Sequence, residues 1–373
     1  MKGLYVHIPF CVKKCNYCDF ASFGHKSIET EEKYTDALLR EFEIISDNSL
    51  IDTVYIGGGT PTTLSLKGFE KILKGIHKYF NIEFLKEFTV EANPLTVSAE
   101  TVKLLKEYGV NRISMGVQSA SDGELKMLGR IHTFKEAVDT YNLLRKCGIS
   151  NINLDLMFGL PNQDMKSLEN SINKITELEP EHISCYGLKI EEGTPFYKML
   201  LNGEIKEADD DLFADMYDLV KSTLNNKGLC QYEISNFSKQ GFESKHNIKY
   251  WTQGEYFGAG LGASSFIDGV RYTNTADFNE YINFDTAVLR DESEKMNKTE
   301  RMSEYMILGL RLTQTGVDKQ KFYNKFGVYA DDIFKEQIEK YVRLGLINST
   351  PGKIVLTDKA YYISNSILCD FMV

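Results

Sequence analysis

The chain of 373 residues is 42% hydrophobic and 26% charged, so it can bury a sizeable core without disulfides or structural metals. Acidic residues outnumber basic ones by 53 to 43, and Lys and Arg form no dense patch, which argues against nucleic acid as a partner. No run of about 18 apolar residues is present, and His7 and Pro9 interrupt the segment where a signal peptide needs an apolar core. We therefore expect a cytoplasmic globular protein.

Up to about residue 190, short apolar runs alternate with stretches of helical period, which is the pattern of βα units around a parallel sheet. The predicted strands are Leu4–Ile8, Thr53–Ile56, Phe88–Glu91, Arg112–Met115, Asn153–Leu156 and Ile183–Tyr186. The predicted helices are Glu32–Ile45, Leu66–Tyr79, Ala99–Tyr108, Phe134–Cys147 and Lys166–Leu178. Six such units fit either a partial (β/α) barrel or an open twisted sheet, and both place ligands at the carboxyl ends of the strands.

Polar and glycine residues fall where each predicted strand ends. In chain order these segments are His7–Phe10 with the three cysteines that follow, Gly57–Thr62, Glu91–Pro94, Gly116–Ser119, Asp155 with Phe158–Pro161, and Tyr186–Gly187. One rim of the sheet is therefore predicted to collect the candidate chemistry.

Beyond residue 190 the pattern changes. The predicted features are an acidic helix near Asp209–Leu224, a Gly- and aromatic-rich stretch at His246–Gly269, a polar linker at Arg290–Lys298, and a helical module from about Glu300 that ends in a hairpin, Leu346–Thr350 with Lys353–Thr357. The module resembles a winged helix in shape but lacks a basic surface, so a DNA-binding role is not expected.

Three of the seven cysteines, Cys11, Cys15 and Cys18, lie within one short loop. Structural zinc normally takes four ligands, and no fourth Cys or His follows nearby except His25. A 4Fe-4S cluster held by three thiolates instead leaves one iron open, and the amine and carboxylate of S-adenosylmethionine can fill that position. A zinc site completed by His25 and three unrelated buried thiols are the alternatives.

The cysteine spacing, with Tyr17 before the third cysteine, resembles the CxxxCxΦC signature of radical-SAM proteins. The segment Tyr5–Cys11, YVHIPFC, is similar to the corresponding motif of oxygen-independent coproporphyrinogen III oxidases and of HemW-type heme chaperones. The resemblance covers essentially the whole chain. It implies an α/β fold, a partial (β/α)6 TIM-like radical-SAM barrel with a smaller C-terminal α+β, winged-helix-like domain. The implied divisions are a core barrel at 1–235, a connecting segment at 236–299 and a C-terminal domain at 300–373.

The same resemblance implies a 4Fe-4S cluster and bound S-adenosylmethionine. The residues expected to bind the latter are Tyr5, Gly58, Gly59, Thr60, Glu91, Gln118, Arg130 and Asp155. The run GGGTPT offers bare backbone whose N–H groups can approach a carboxylate, although such a run is often only a turn. Glu91 is expected at the ribose hydroxyls, with helix capping as its alternative. Asp155 interrupts an apolar strand, which is costly without a partner.

Two functions share this cofactor site in the family. The oxidase abstracts hydrogen from a propionate and releases carbon dioxide, leaving a vinyl group, whereas the chaperone binds finished heme and hands it on. Phe20 stands where the oxidase signature has a fourth cysteine, few residues precede Tyr5 compared with the extension expected of an oxidase, and His246–Trp251 matches the chaperone-associated motif HNxxYW. We therefore expect a heme chaperone, with the oxidase as the alternative.

His246 is the candidate heme ligand, because imidazole is a standard axial ligand and the aromatic residues that follow it can stack on a porphyrin. Its alternative is a structural histidine with satisfied hydrogen bonds. The expected partners are heme and a heme-acceptor protein, for which the resemblance suggests a membrane-bound respiratory complex. The sequence leaves open a homodimer and whether S-adenosylmethionine is cleaved.

Overall fold

The structure is a computed structural model that describes residues 1–24, 27–288 and 290–372. His25, the residue of the zinc alternative, lies outside the described residues. The strands are β1 (Lys2–Ile8), β2 (Phe10–Cys11), β3 (Phe23–Gly24), β4 (Ile51–Gly58), β5 (Glu87–Ala92), β6 (Arg112–Gln118), β7 (Ile152–Phe158), β8 (His182–Gly187), β9 (Cys230–Glu233), β10 (Asn236–Ser238), β11 (Tyr256–Ala259), β12 (Ser264–Ile267), β13 (Val270–Asn274), β14 (Arg290–Lys295), β15 (Val317–Asp318), β16 (Ile347–Ser349) and β17 (Lys353–Leu356).

The helices are α1 (Ile28–Ile45), α2 (Leu66–Tyr79), α3 (Ala99–Glu107), α4 (Asp122–Met127), α5 (Phe134–Lys146), α6 (Met165–Thr176), α7 (Pro195–Leu201), α8 (Asp210–Asn226), α9 (Lys245–Trp251), α10 (Phe278–Asn283), α11 (Lys298–Gly309), α12 (Lys319–Phe326), α13 (Ala330–Ile333), α14 (Lys335–Arg343) and α15 (Ser364–Cys369). Among the described residues, no helix is both long enough and apolar enough to cross a membrane.

One large sheet carries the architecture, with strand order β14-β13-β12-β11-β1-β4-β5-β6-β7-β8-β10-β9. The six predicted strands are its consecutive members β1 and β4 to β8, and each pairs in parallel with the next. The helices α1, α2, α3, α5 and α6 fall where helices are predicted. Within the described residues the strand order ends in two different edge strands, so the sheet is not closed. Side chains from β4 to β8 surround one internal space, and the predicted partial α/β barrel is therefore confirmed.

Local signals fix where these helices begin. Side chains of Ser65, Ser98 and Thr133 accept hydrogen bonds from backbone N–H groups in the first turns of α2, α3 and α5. At α5 the reciprocal bond from the Thr133 N–H to the Glu136 carboxylate completes a capping box. Such caps satisfy N–H groups that have no partner inside the helix.

The parallel strands alternate between an apolar outer face and a polar inner face. The apolar set packs with helical residues in one core and includes Leu4, Val6, Ile8, Val54, Ile56, Phe88, Val90, Ile113, Met115, Leu154, Leu156 and Ile183. The alternate residues line the inside of the barrel and include Tyr55, Glu91, Arg112, Ser114, Asn153, Asp155 and Ser184. Because side chains on a strand point alternately to its two faces, the barrel encloses a polar lumen.

Additional strands extend the barrel at the β1 edge. β11 pairs in parallel with β1, Gly3 facing Tyr256 in the register, and β12 to β14 continue in antiparallel order. The linker prediction at Arg290–Lys298 is therefore wrong for β14. All six side chains of β14 are exposed, so this strand lacks the apolar alternation by which a strand is recognised in sequence.

The C-terminal module contains α11 to α15 and a small sheet with order β15-β17-β16. The predicted hairpin is confirmed by the antiparallel pairing of β16 with β17, in which Ile347 faces Leu356. The acidic helix predicted near Asp209–Leu224 is observed as α8. The domain boundaries at 235 and 299 stay a prediction.

Candidate functional site

The three clustered cysteines lie in one loop that leaves the carboxyl end of β1. At its ends β2 pairs in parallel with β3, and the Phe23 N–H donates to the Pro9 carbonyl at 2.9 Å. Its middle is held by Asn16, whose side-chain amide donates to the Met127 carbonyl at 2.7 Å and whose backbone N–H donates to the Leu128 carbonyl at 2.9 Å. The loop is thus anchored at both ends and at its centre, and all three thiols stay partly exposed.

Each cysteine sulfur has a polar neighbour. Thr60 Oγ1 lies 3.7 Å from Cys11 Sγ, Arg130 Nη1 lies 3.5 Å from Cys15 Sγ, and Ser22 Oγ lies 3.9 Å from Cys18 Sγ. Burial raises the pKa of Cys11 and of Cys18, although hydrogen bonds from Thr60 and Ser22 act in the opposite direction. Burial therefore disfavours the deprotonated form of these thiols, and a bound metal centre would stabilise that form.

A cavity of about 130 Å³ lies against the three thiols. It is lined by Cys11, Lys13, Cys15, Tyr17, Cys18, Phe20, Gly58, Gly59, Thr60, Glu91, Ala92, Asn93, Ser114, Gly116, Gln118, Arg130, Asp155 and Tyr186. Seven of the eight residues predicted to bind S-adenosylmethionine are among them. Tyr5 is not among them, and its hydroxyl lies 2.9 Å from His7 Nδ1.

The glycine run after β4 packs directly beneath the cysteine loop. A Cβ on Gly58 would lie 2.5 Å from the His7 ring, and a Cβ on Gly59 would lie 2.7 Å from the Phe10 carbonyl oxygen. The N–H groups of Gly58, Gly59 and Thr60 donate within the protein, to Glu91 Oε2, the Ile8 carbonyl and the Phe10 carbonyl. The expectation that these N–H groups are free for a ligand is therefore wrong, although all three residues line the cavity.

Two partly buried carboxyl groups face the cavity. Glu91 accepts hydrogen bonds from the Tyr55 hydroxyl at 2.7 Å and from the Gly58 N–H at 3.0 Å, so it caps no helix. Asp155 accepts one from the Asn153 amide at 2.6 Å. Burial raises the pKa of Glu91 to about 7 and that of Asp155 to about 6. Both groups can therefore accept or donate hydrogen bonds to a polar ligand near neutral pH.

Arg130 and Gln118 connect the ends of different strands, β5 with β6 and β6 with β8. Arg130 Nη2 donates to the Gly116 carbonyl at 2.6 Å and to Asn93 Oδ1 at 2.5 Å, in addition to its contact with Cys15. Gln118 has a φ of +71° and accepts a hydrogen bond from the Tyr186 hydroxyl at 3.0 Å. A positive φ at a residue other than glycine is a strained conformation that is typical of functional sites.

A larger lumen of about 490 Å³ continues from this cavity into the barrel. The two share Tyr17, Cys18, Phe20, Glu91, Ser114, Asp155 and Tyr186. The sequence reasoning missed four residues of its wall, Tyr55, Arg112, Asn153 and Ser184. The signal that could have found them is the polar residue at every second position of strands whose other residues are apolar.

The HNxxYW segment forms α9, at the end of the barrel opposite to the cysteines. His246 is 1% exposed, with Nδ1 at 2.9 Å from Thr53 Oγ1 and Nε2 at 2.8 Å from Tyr250 Oη. Burial and the nearby Lys249 and Arg112 charges lower the pKa of His246 to about 3. The ring is therefore neutral and both of its nitrogens are engaged, as in a structural histidine.

The other end of α9 faces the C-terminal module. Trp251 lines a cavity of about 740 Å³ together with Tyr305, Gly316 and Lys353, and the Arg311 guanidinium lies 4.5 Å from the Trp251 ring centroid. The motif thus joins the barrel to the module, with His246 and Trp251 in different environments.

Comparisons with known proteins agree with this architecture. Residues 5–175 match the family model of the radical SAM superfamily, and residues 296–363 match that of the HemN C-terminal domain. Proteins named heme chaperone HemW are similar along the full length. The Bacillus subtilis protein is 39% identical over 100% of this chain and 99% of its own length, and the Escherichia coli protein is 33% identical over 98% and 97%.

Among solved structures, coproporphyrinogen III oxidase (HemN) from Escherichia coli, a radical SAM enzyme, matches with a TM-score of 0.85. The match covers 100% of this chain and 90% of that chain at 21% identity. This likeness concerns the fold alone.

Proposed function

Because the chain belongs to the radical-SAM superfamily and, within it, to the HemW family, we propose that it is a heme chaperone that carries a 4Fe-4S cluster and S-adenosylmethionine. The observation that carries this proposal is the similarity to curated heme chaperones over the whole chain, in contrast to the 21% identity with the oxidase.

The residues at the rim fit the proposed cluster. Cys11, Cys15 and Cys18 supply three thiols from an anchored loop, and Thr60 and Arg130 place donors beside two of the sulfurs. Hydrogen bonds to cluster sulfurs are one of the means by which proteins tune such clusters. A 4Fe-4S cluster held by these three thiolates would keep one iron open to a small molecule with an amine and a carboxylate, and it would supply an electron to S-adenosylmethionine.

The cavity beside the thiols suits that small molecule. Glu91 and Asp155 present hydrogen-bonding groups for hydroxyls, and Gly59 and Gly116 leave room where a side chain would collide with the Phe10 carbonyl or with Asn93. Arg130 is held by the Gly116 carbonyl beside Cys15. In this proposal Tyr5 acts indirectly by orienting His7, which supports the glycine run.

One feature, the side chain of Phe20, favours carriage over oxidation. Phe20 is 68% exposed at the junction of the cavity and the lumen, in the position that the oxidase signature gives to a cysteine. An exposed aromatic side chain is a suitable contact for a porphyrin face. His246 is buried with both ring nitrogens bonded, so we do not assign it as the iron ligand. The acceptor is proposed to be a heme-dependent protein.

The test is a heme titration of the anaerobically reconstituted full-length protein, with and without S-adenosylmethionine. A heme chaperone gives a saturable shift of the Soret band and no vinyl product from coproporphyrinogen. A flat titration together with decarboxylation of coproporphyrinogen would establish the oxidase instead. The Phe20→Ala variant is expected to weaken heme binding while iron and sulfide content stays unchanged.

A further inference from the structure

Arg112 is the first residue of β6 and lies in the wall of the barrel lumen. It is 2% exposed, although its side chain is a permanent cation. Charged side chains are almost never buried to this degree unless they are paired. The environment of its guanidinium group therefore needs an explanation.

The guanidinium has almost no partners within the part of the chain that the structure describes. No carboxylate oxygen lies within 4.0 Å of it there. Arg112 Nε has no hydrogen-bond partner, and its one hydrogen bond runs from Nη1 to Thr89 Oγ1 at 3.5 Å. A guanidinium carries five N–H donors, so most of its binding capacity is unused.

The carboxylates closest in the fold are already bonded to other groups. Glu91 is bonded by Tyr55 and Gly58, and Asp155 by Asn153. Glu87 accepts hydrogen bonds from the Lys245 and His246 N–H groups at the start of α9, at 2.8 and 3.0 Å. None of these three carboxylates is in contact with Arg112. Burial raises the pKa of Glu91 and of Asp155, and the Arg112 charge acts in the opposite direction through space, so the guanidinium has distant carboxyl groups but no contact counterion among the described residues.

The lumen around Arg112 is lined by both polar and apolar side chains. Its wall carries Ser114, Asn153, Ser184 and Asn247 together with the carboxyl groups of Glu91 and Asp155. Its other lining residues include the apolar or aromatic Tyr17, Phe20, Met157 and Leu188 and the charged Asp19, Lys189 and Glu191. A ligand that matches this lining has an apolar body and an acidic end. Guanidinium binds a carboxylate through two parallel hydrogen bonds.

We propose that the lumen is a binding site for an organic carboxylate and that Arg112 is its counterion. If the proposed function is correct, this carboxylate is a propionate of heme. The porphyrin macrocycle then contacts the aromatic side chains of Tyr17 and Phe20. Heme is then bound through an ion pair between its propionate and Arg112 inside the lumen, and this contact does not require His246. This assigns to the lumen a ligand distinct from the one at the cysteine rim.

The test compares hemin with hemin dimethyl ester, in which both carboxylates are masked. The reconstituted wild-type protein is expected to bind hemin roughly tenfold or more tightly than the ester, the usual effect of a hydrogen bond to a charged group. Arg112→Met is expected to lose this preference and to bind both compounds with the weaker affinity. Arg112→Lys, which keeps the charge without the planar fork, should retain part of the preference. Arg343→Met, which removes an exposed cation, is the matched control and should behave as wild type.

A second measurement needs no ligand. Because a buried cation without a counterion destabilises the fold, the thermal midpoint of Arg112→Met should equal or exceed that of wild type. A clear fall in the midpoint would identify Arg112 as a structural residue and overturn the proposal. Equal affinity of wild type for hemin and its ester would also overturn it while leaving heme carriage intact. A wild-type protein that binds neither compound would refute the proposed function itself and, with it, the propionate assignment.

Discussion

Replacement of His246 by alanine tests whether its imidazole is a structural group. The variant loses the hydrogen bonds to Thr53 and Tyr250, each of which stabilises the fold by about 1 kcal/mol. The cavity left by the missing ring destabilises the fold by at least about 1 kcal/mol more. We therefore expect the free energy of unfolding to fall by about 3 kcal/mol near neutral pH. Trp251, the only tryptophan, lies five residues away and reports urea unfolding by its fluorescence.

The pH dependence of this loss provides a sharper test. The folded pKa of His246 is about 3, whereas the ordinary value is 6.5. Between these two values the unfolded chain binds a proton that the folded chain does not, so the wild-type protein loses stability as the pH falls below about 6.5. At about pH 5 this loss is about 2 kcal/mol, from about 1.4 kcal/mol per pH unit. The alanine variant lacks this titrating group. At about pH 5 the difference in the free energy of unfolding between wild type and variant should therefore shrink to about 1 kcal/mol.

His246→Gln serves as the control, because its neutral side chain keeps hydrogen-bonding capacity and does not titrate. A variant whose stability matches wild type, or a difference that stays constant between neutral and acid pH, would refute the reasoning. Loss of the heme Soret shift in a fully folded His246→Ala protein would make the imidazole a heme ligand after all.

Two further substitutions have simple expected outcomes. Cys15→Ser should abolish the brown colour and the iron content of the anaerobically reconstituted protein. The control Cys230→Ser, at an exposed thiol, should retain both. An unchanged iron content in the Cys15→Ser variant would exclude the proposed cluster. Gly58→Ala, with a φ of +108° and a Cβ 2.5 Å from the His7 ring, should lower the free energy of unfolding by more than about 2 kcal/mol. At Gly109 the φ is also positive, but a Cβ would meet no other atom. Gly109→Ala should therefore lower the free energy of unfolding by only about 1 kcal/mol. Equal losses for the two variants in urea unfolding would show that the His7 contact is unimportant.

The parts that were predictable depend on local patterns. The strands β1 and β4 to β8 and the helices between them are marked by periodicity and by caps such as Thr133. The rim was also predictable, because parallel strands bring their carboxyl ends together. Seven of the eight predicted cofactor residues accordingly line one cavity with the three cysteines.

Other features depend on contacts between distant segments. β11 completes the β1 edge from a position about 250 residues further along the chain, and β14 pairs although its side chains are all exposed. The free N–H groups expected of the glycine run are instead bonded to Glu91 and to the loop before Cys11. No periodicity in the sequence carries this information.

By itself, the amino-acid sequence determined the order of the βα units, the rim that gathers the polar residues and the three thiols that suggest a cluster, because each follows from local spacing. Only the tertiary structure decided that His246 is enclosed by Thr53 and Tyr250 and that Arg112 is buried with no described carboxylate in contact. The physical reason is that burial and hydrogen-bond partners are set by segments that meet only after folding, and these decide whether a polar side chain is satisfied or available to a ligand.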